Sequence, residues 1–267
     1  MSFDVVCCDL DGVIWRGDDP IPGAADGVAA LRAGGLHVVF VTNNSSGTRA
    51  EYAAKLAACG VPATADDVLS SAMAAARLLA VDLAPGARVL ACAGPGVREA
   101  LAGSGLVPVE VAPADAVVVG WHRDFDFDRL ARAADAVRGG ARFVATNLDP
   151  TYPSANGVLP GNGALVAAVA TAAGREPEVA GKPSAPMTAL VTDACGTHGV
   201  MVGDRPSTDG ALAAALGWPF ALVLSGIAGA SGEETVPDPP PPFVAADLGA
   251  LAPALVQAAH APGPRSG

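Results

Sequence analysis

Three apolar runs in this chain end in side chains able to hold a metal ion or a phosphate. "VVCC" leads into Asp9-Leu10-Asp11 with Gly12 directly behind, "HVVFV" into Thr42-Asn43-Asn44, and "HGVMVG" into Asp204-Arg205, with Asp209 five residues past Asp204. Side chains two apart on an extended strand share a face, so ionised Asp9 and Asp11 repel each other unless a cation compensates. Asp9, Asp11 and Asp204 form an all-oxygen donor set, of which Mg2+ is the ordinary occupant; the absence of His and Cys from the three clusters speaks against zinc. Lys182, in "GKPSAP" ahead of a predicted helix, reads either as a point charge for phosphate or as a solvated surface lysine. Each cluster alone also reads as a helix cap or turn, because Asp and Asn favour the positions just after strands. Their recurrence at three strand ends points instead to one shared site.

The elements that must position these groups alternate along the chain. "FDVVCC", "GAADGVAALRAGG", "HVVFV" and "TRAEYAAKLAACG" follow one another, and the rhythm resumes in "HGVMVG", "STDGALAAALG" and "FALVL". Such alternation is the pattern of βα units on a mostly parallel sheet, whose strand carboxyl ends share the edge where open α/β folds take their ligands. Two breaks, "DLAPGAR" at 82–88 and "GREPEVAGKPSAP" at 174–186, enclose a segment with its own α/β rhythm: "RVLACAG", "ADAVVVG", "FDRLARAADAVRGG" and "ARFVATN". That segment reads as a domain inserted into the first. "VPDPPPPF" reads as a rigid extended crossing, and the tail "APGPRSG" as disordered.

Bulk properties exclude several partners. The 267 residues carry a formal charge of -11 and are 51% hydrophobic, which fits a globular protein with a substantial core. That charge, with no cluster of Lys and Arg, argues against nucleic acid and anionic membrane. An anion can bind only where a metal, helix N-termini or a lysine overcomes the overall field. Five cysteines without a CxxC pair, and an acidic N-terminus without a cleavage site, read as those of a protein of the reducing cytoplasm. Residues 210–232 contain no charge before Glu233, yet Gly217, Trp218 and Pro219 divide them into a helix-like and a strand-like piece, so they read as buried core rather than a membrane span.

"DLDGV", "VTNNSS", "GKPSAP" and "GDRPSTD", in that order, resemble the four motifs of the haloacid dehalogenase superfamily of phosphatases. "ATNLDPTYPSANGVLPGNGALVAAV" is similar to the cap of its subfamily IIA, which contains the NagD nucleotidase and the p-nitrophenylphosphatase and phosphoglycolate phosphatase proteins. The resemblance implies a doubly wound, parallel-sheet α/β core over 1–80 and 178–267, with an inserted α/β cap of the C2 type over 81–177. It implies Asp9 as the nucleophile that becomes an aspartyl phosphate, and Asp11 as general acid and then base. Mg2+ would be held by the Asp9 carboxylate, the Asp11 main-chain carbonyl and Asp204, with Asp209 holding a metal-bound water. Thr42 and the Asn43 backbone would bind phosphoryl oxygens, and Lys182 would neutralise Asp9 and the phosphate. Asn147 and Asp149 are implied as cap residues near the substrate, although Asn147 also reads as a turn residue at a strand end. The partner is a small phosphorylated metabolite (a sugar phosphate, glycerol phosphate, phosphoglycolate or nucleoside monophosphate), and caps of this type often form homodimers. Pro206 and Ser207 depart from the bulky aliphatic and acidic residues common in relatives, which bears on fine tuning rather than activity.

The chemistry asks for these residue types. Hydrolysis of phosphate monoesters is among the slowest uncatalysed reactions, and the charge on the transferring group must meet fixed positive partners. Covalent transfer to a carboxylate divides the step, and a nearby acid supplies the proton an alkoxide needs. Other readings are a phosphotransferase with the same aspartyl-phosphate chemistry, or a phosphoryl-accepting domain of the receiver type that does not turn over. A nucleotide-sugar transferase using "DLD" as a metal site leaves Thr42, Lys182 and the second acidic cluster unexplained. A dinucleotide site at Gly94-Pro95-Gly96 lacks the third glycine of the fingerprint, where Glu99 stands. His122, after "AVVVGW", reads as a solvated loop histidine.

Overall fold

Val5–Cys8 is buried along its whole length, as a strand covered on both faces must be, and it organises the sheet that carries Asp9. The structure, a computed structural model, describes residues 3–154, 157–228 and 234–261. In chain order the elements are β1 (Val5–Cys8), the short strands β2 (Trp15–Arg16) and β3 (Asp19–Pro20), α1 (Ala24–Ala33), β4 (His37–Thr42), α2 (Arg49–Ala58), β5 (Val68–Ser70) and α3 (Ser71–Asp82). There follow β6 (Arg88–Cys92), α4 (Pro95–Gly103), β7 (Val107–Val109), β8 (Ala116–Val119), α5 (Phe127–Arg138), β9 (Arg142–Ala145), β10 (Thr151–Ser154), β11 (Gly157–Pro160) and α6 (Asn162–Ala173). The chain ends with β12 (Glu178–Val179), α7 (Ala185–Cys195), β13 (Gly199–Gly203), α8 (Ala211–Leu216), β14 (Phe220–Val223), β15 (Phe243–Ala245) and α9 (Leu248–Ala259).

These elements form two compact units. The first comprises 1–42, 52–69 and 191–267, the second 43–51 and 70–190. The expected boundaries lay at 80/81 and 177/178, with no separate assignment for 43–51.

In the first unit the six-stranded sheet runs β15-β14-β13-β1-β4-β5. β1 pairs in parallel with β13 on one side and β4 on the other, with Cys8 level with both Val202 and Phe40. Strands therefore wind outward from β1 in both directions, the doubly wound order, and the ends of β1, β4 and β13 meet at the reversal. The core beneath holds Leu10, Ile14, Trp15, Leu31, Phe40 and Leu56, and extends to Leu248 and Leu251 of α9. α1 packs closely on α9: at Gly27 a Cβ would meet the Leu248 carbonyl at 2.8 Å. The antiparallel pair β2–β3, immediately behind "DLDG", has no counterpart in the sequence reading, because two-residue strands carry no periodicity.

The second unit has its own parallel sheet, β12-β9-β8-β6-β7, and a β10–β11 hairpin. Its core combines Val117 and Val119 of β8 with Phe143 of β9, Ala133 and Val137 of α5, and Val166 and Val169 of α6. α5 begins where the Asp126 carboxylate accepts a hydrogen bond from the Arg129 N–H. On the surface, the Arg142 guanidinium bridges Glu178 and Asp82, which draws the Glu178 carboxyl below its ordinary value.

Among the described residues no helix is long and apolar enough to cross a membrane. The charge-free segment divides into α8 and β14, while its residues 229–232 lie outside the described ones. "VPDPPPPF" runs without helix or strand until β15 begins at Phe243. The tail "APGPRSG" lies outside the described residues beyond Ala261.

Candidate active site

The Asp9 N–H donates to the Val202 carbonyl at 2.9 Å, so the β1–β13 ladder continues one residue past the strand before the chain turns. That register brings Asp9 to the base of "GDRPSTD". Among the described residues Asp9, Asp204 and Asp209 form one carboxylate cluster, with an oxygen from each within 4.8 Å of the others. Burial, with Asp209 and Asp9 as like-charged neighbours, pushes the Asp204 carboxyl well above the ordinary range; the Ile227 N–H and Arg205 pull it back only in part.

Bare backbone makes room for this cluster. Gly12 has φ +82°, and a Cβ there would lie 2.2 Å from Asp204 Oδ2. At Gly226 the same distance would be 1.8 Å, and at Gly203 a Cβ would come within 2.2 Å of Asp209. Asp204 Oδ2 accepts from the Ile227 N–H at 2.6 Å, and the Ser225 hydroxyl donates to the Gly12 carbonyl at 2.7 Å. Sequence reasoning missed Ser225, Gly226 and Ile227. The available signal was a fourth apolar run, "FALVL", ending in small and polar residues as the other three do.

Asp209 sits on a π-helical turn, Pro206–Gly210, where its carboxylate accepts from the Arg205 N–H at 3.1 Å. Ser207, one of the two departures from the family pattern, donates its N–H and its hydroxyl to Glu234 at 3.0 and 2.5 Å. A carboxylate is thus brought beside position 207 by a distant segment.

Asp11 lies apart from the cluster's three carboxylates. Its Oδ1 accepts from the Trp15 indole N–H at 3.0 Å, and the Lys55 ammonium lies 4.4 Å from the Trp15 ring centroid. The carboxylate that joins Asp9 and Asp204 in the cluster is that of Asp209, which leaves the Asp11 main-chain carbonyl as that residue's expected share of a metal site. The chain has left the strand at Asp11, so the alternation that would align it with Asp9 no longer applies.

Thr42 closes β4 and is buried in the first unit. In the second unit Asn43 and Lys182 make a reciprocal pair: the Lys182 N–H donates to Asn43 Oδ1 at 2.7 Å, and Asn43 Nδ2 donates to the Lys182 carbonyl at 3.2 Å. Asn147 donates its amide to the Asn43 carbonyl at 2.7 Å, and Asp149 accepts from Asn43 Nδ2 at 3.3 Å. Lys182 is only 3% exposed, so it is not a solvated surface lysine.

One further reading changes. His122 is buried rather than solvated; its Nδ1 pairs with the Gly120 carbonyl at 2.7 Å, its ring lies edge-on to Phe125, and burial lowers its pKa. Gly94 and Gly96, the glycines of the rejected dinucleotide fingerprint, admit the backbone of residues 45–47: a Cβ at Gly96 would lie 2.0 Å from the Gly47 carbonyl oxygen. Both glycines thus serve close packing of the chain on itself.

A doubly wound sheet with carboxylates gathered beyond its central strands places them where open α/β folds take their ligands. Residues 6–107 match the haloacid dehalogenase-like hydrolases and residues 179–251 a second, HAD-hydrolase-like family. The chain is 45% identical over 230 residues to the D-glycerol 3-phosphate phosphatase of Mycobacterium tuberculosis, a match covering 85% of this chain and 64% of that protein. It is 38% identical over 211 residues to the acid sugar phosphatase of Staphylococcus saprophyticus, covering 78% and 81% of the two chains. A crystal structure of the glycerol phosphate phosphatase from M. tuberculosis in complex with magnesium superposes with a TM-score of 0.83 at 39% identity, over 92% of this chain and 75% of that one. The chain belongs to the haloacid dehalogenase-like hydrolases. It spans less than two thirds of the length of the glycerol 3-phosphate phosphatase.

Proposed function

We propose that this protein hydrolyses small phosphate monoesters with the help of Mg2+, and that glycerol phosphate heads its substrates. The observation that carries the reading is the buried cluster Asp9, Asp204 and Asp209, whose mutual repulsion calls for a hard divalent cation. The identity to a glycerol 3-phosphate phosphatase and the magnesium complex of such an enzyme support the substrate and the metal.

Asp9, Asp204 and Asp209 fit Mg2+ by their all-oxygen donor set; the Asp9 and Asp204 carboxylates and the Asp11 carbonyl would hold the ion, and Asp209 would act through water. When bound, the ion offsets charge on the phosphoryl oxygens. An Asp9 oxygen attacks phosphorus, and the bond from phosphorus to the ester oxygen breaks. Asp11 gives its proton to that oxygen. The same carboxylate then takes a proton from water as the water attacks phosphorus, which releases phosphate and restores Asp9. Thr42 and the Asn43 N–H hold phosphoryl oxygens, and the Lys182 ammonium neutralises the remaining charge.

The first compact unit serves as the catalytic core in this reading, and the second supplies the cap. All five cysteines stand as thiols rather than disulfides, which supports a cytoplasmic location. Homodimerisation through the second unit belongs to the same proposal, and sedimentation of the purified protein measures it.

The test is phosphate release from p-nitrophenyl phosphate, glycerol phosphate, a sugar phosphate, phosphoglycolate and a nucleoside monophosphate, with Mg2+ and with EDTA. Metal-dependent turnover, fastest on glycerol phosphate, is expected. No release from any ester by folded, Mg2+-loaded protein sinks the reading.

Stability should report the same ion. The Asp204 carboxyl titrates higher in the folded chain than in the unfolded one, so its penalty is absent below the ordinary aspartate value near 4 and grows as pH rises through the raised folded value. Mg2+ relieves that penalty. Its addition should therefore raise Tm more at pH 8 than at pH 5.5, and an equal or larger rise at the lower pH would contradict the assignment.

A further inference from the structure

Asn147 and Asp149 were expected to lie near the substrate, in the segment that reads the leaving group. Their hydrogen bonds indicate another role. We infer that Asn147, with Ser71, is a positioning residue for the phosphoryl-binding pair Asn43 and Lys182 and takes no part in choosing the leaving group; the inference rests on the proposed phosphatase reading.

The Asn43 carbonyl has two lone pairs, and two buried side chains address it. The Ser71 hydroxyl donates at 2.5 Å and the Asn147 amide at 2.7 Å. The Asn43 side chain, in turn, grips the main chain of Lys182 on both sides of that residue and reaches Asp149. Gly181 lets the two segments lie flush, since a Cβ there would stand 2.4 Å from the Thr146 carbonyl oxygen and 2.5 Å from Asn43 Oδ1. Ser71, Asn147 and Lys182 are all buried, so each bond is made away from competing water.

Each polar atom of the Asn147 side chain is engaged within its own fold. Its Oδ1 accepts from the Asp149 N–H at 3.0 Å, its Nδ2 serves Asn43, and its carbonyl accepts from Asn162 at 2.8 Å. Only 4% of the residue is exposed. A side chain committed at both ends to the interior is built to hold the backbone, whereas a leaving-group reader must present a polar end to a variable ligand. Asn43, in contrast, converts this support into the placement of Lys182. Loosening either donor should displace the ammonium that every phosphate ester meets, whatever alcohol it carries.

The test compares wild type, Asn147→Asp and Ser71→Ala, each with Mg2+, on p-nitrophenyl phosphate, glycerol phosphate and a sugar phosphate. Asn147→Asp turns a donor into an acceptor facing a carbonyl, and Ser71→Ala removes the other donor from the same oxygen. Misplacement of a charge-stabilising group on this scale should cost about 10- to 100-fold in kcat/KM, carried mainly by kcat. The factor should be the same for all three esters within about threefold. Affinity for orthovanadate, which mimics the five-coordinate phosphoryl group, should fall in parallel. A loss that differs from ester to ester makes Asn147 a leaving-group reader and overturns the inference, as do wild-type rates in both variants. Should Asn147→Asp fail to fold, Ser71→Ala tests the same carbonyl alone.

Amide hydrogen exchange at Lys182 separates this inference from the activity itself. It should quicken in both variants, because the Lys182 N–H is held by Asn43. If wild type splits none of the esters, the proposed function fails; unchanged exchange at Lys182 then overturns the clamp on independent grounds.

Discussion

Asp9→Asn should abolish phosphate release while leaving the protein folded and, without metal, more stable. The amide keeps the size of the side chain and removes the nucleophilic oxygen, so the covalent route is closed. Loss of a nucleophile in other enzymes costs several orders of magnitude, and about 10,000-fold or more is expected here. The stability change runs the other way for a local reason. Asp9 is one of the charges that raise the Asp204 carboxyl, and removing it relieves a buried repulsion. Rates on p-nitrophenyl phosphate with Mg2+ and melting curves in EDTA measure both effects. A variant retaining more than a hundredth of the wild-type rate would place the nucleophile elsewhere, and a marked fall in metal-free Tm would contradict the electrostatic account.

Gly12→Ala should cost less than Asp9→Asn but still be severe, although it adds only one methyl group. Position 12 has φ +82°, a conformation that costs an L-residue about 1–2 kcal/mol. The larger effect is steric: the new Cβ would meet Asp204 Oδ2 at 2.2 Å and Cγ at 2.5 Å. Asp204 has little room to withdraw, because Gly226 presses from another side and the Ile227 N–H holds the same oxygen. The carboxylate must shift, and the metal-binding geometry with it. Activity at limiting Mg2+ should fall about 100-fold or more, with partial recovery at high Mg2+. Gly35→Ala supplies the control. It has a similar φ of +80° with nothing within 4 Å of the added atom, so it should lose stability and keep its activity. Equal activity losses in the two variants would mean that backbone strain, not the collision with Asp204, is responsible.

The sequence by itself determined which residue types stand at the strand ends. A buried parallel strand must be apolar throughout, so the residue at which "VVCC" or "HGVMVG" turns polar marks where the strand leaves the core, and the doubly wound order makes such ends converge. Asp9 and Asp204 were legible for that reason, as was Gly12, whose turn is local, whereas Asp209 on its π-helical turn was given a role only by the family resemblance. Side-chain direction beyond those ends was not legible. Asp11 engages Trp15, Ser207 meets Glu234, Asn147 turns inward to Asn43, and Gly94 and Gly96 make way for residues 45–47. Each partner lies on a separate element or beyond a turn, and hydrogen-bonding capacity alone does not select among the many acceptors a chain offers. Tertiary packing decides, because it buries one particular pair together and makes leaving either member unpaired costly.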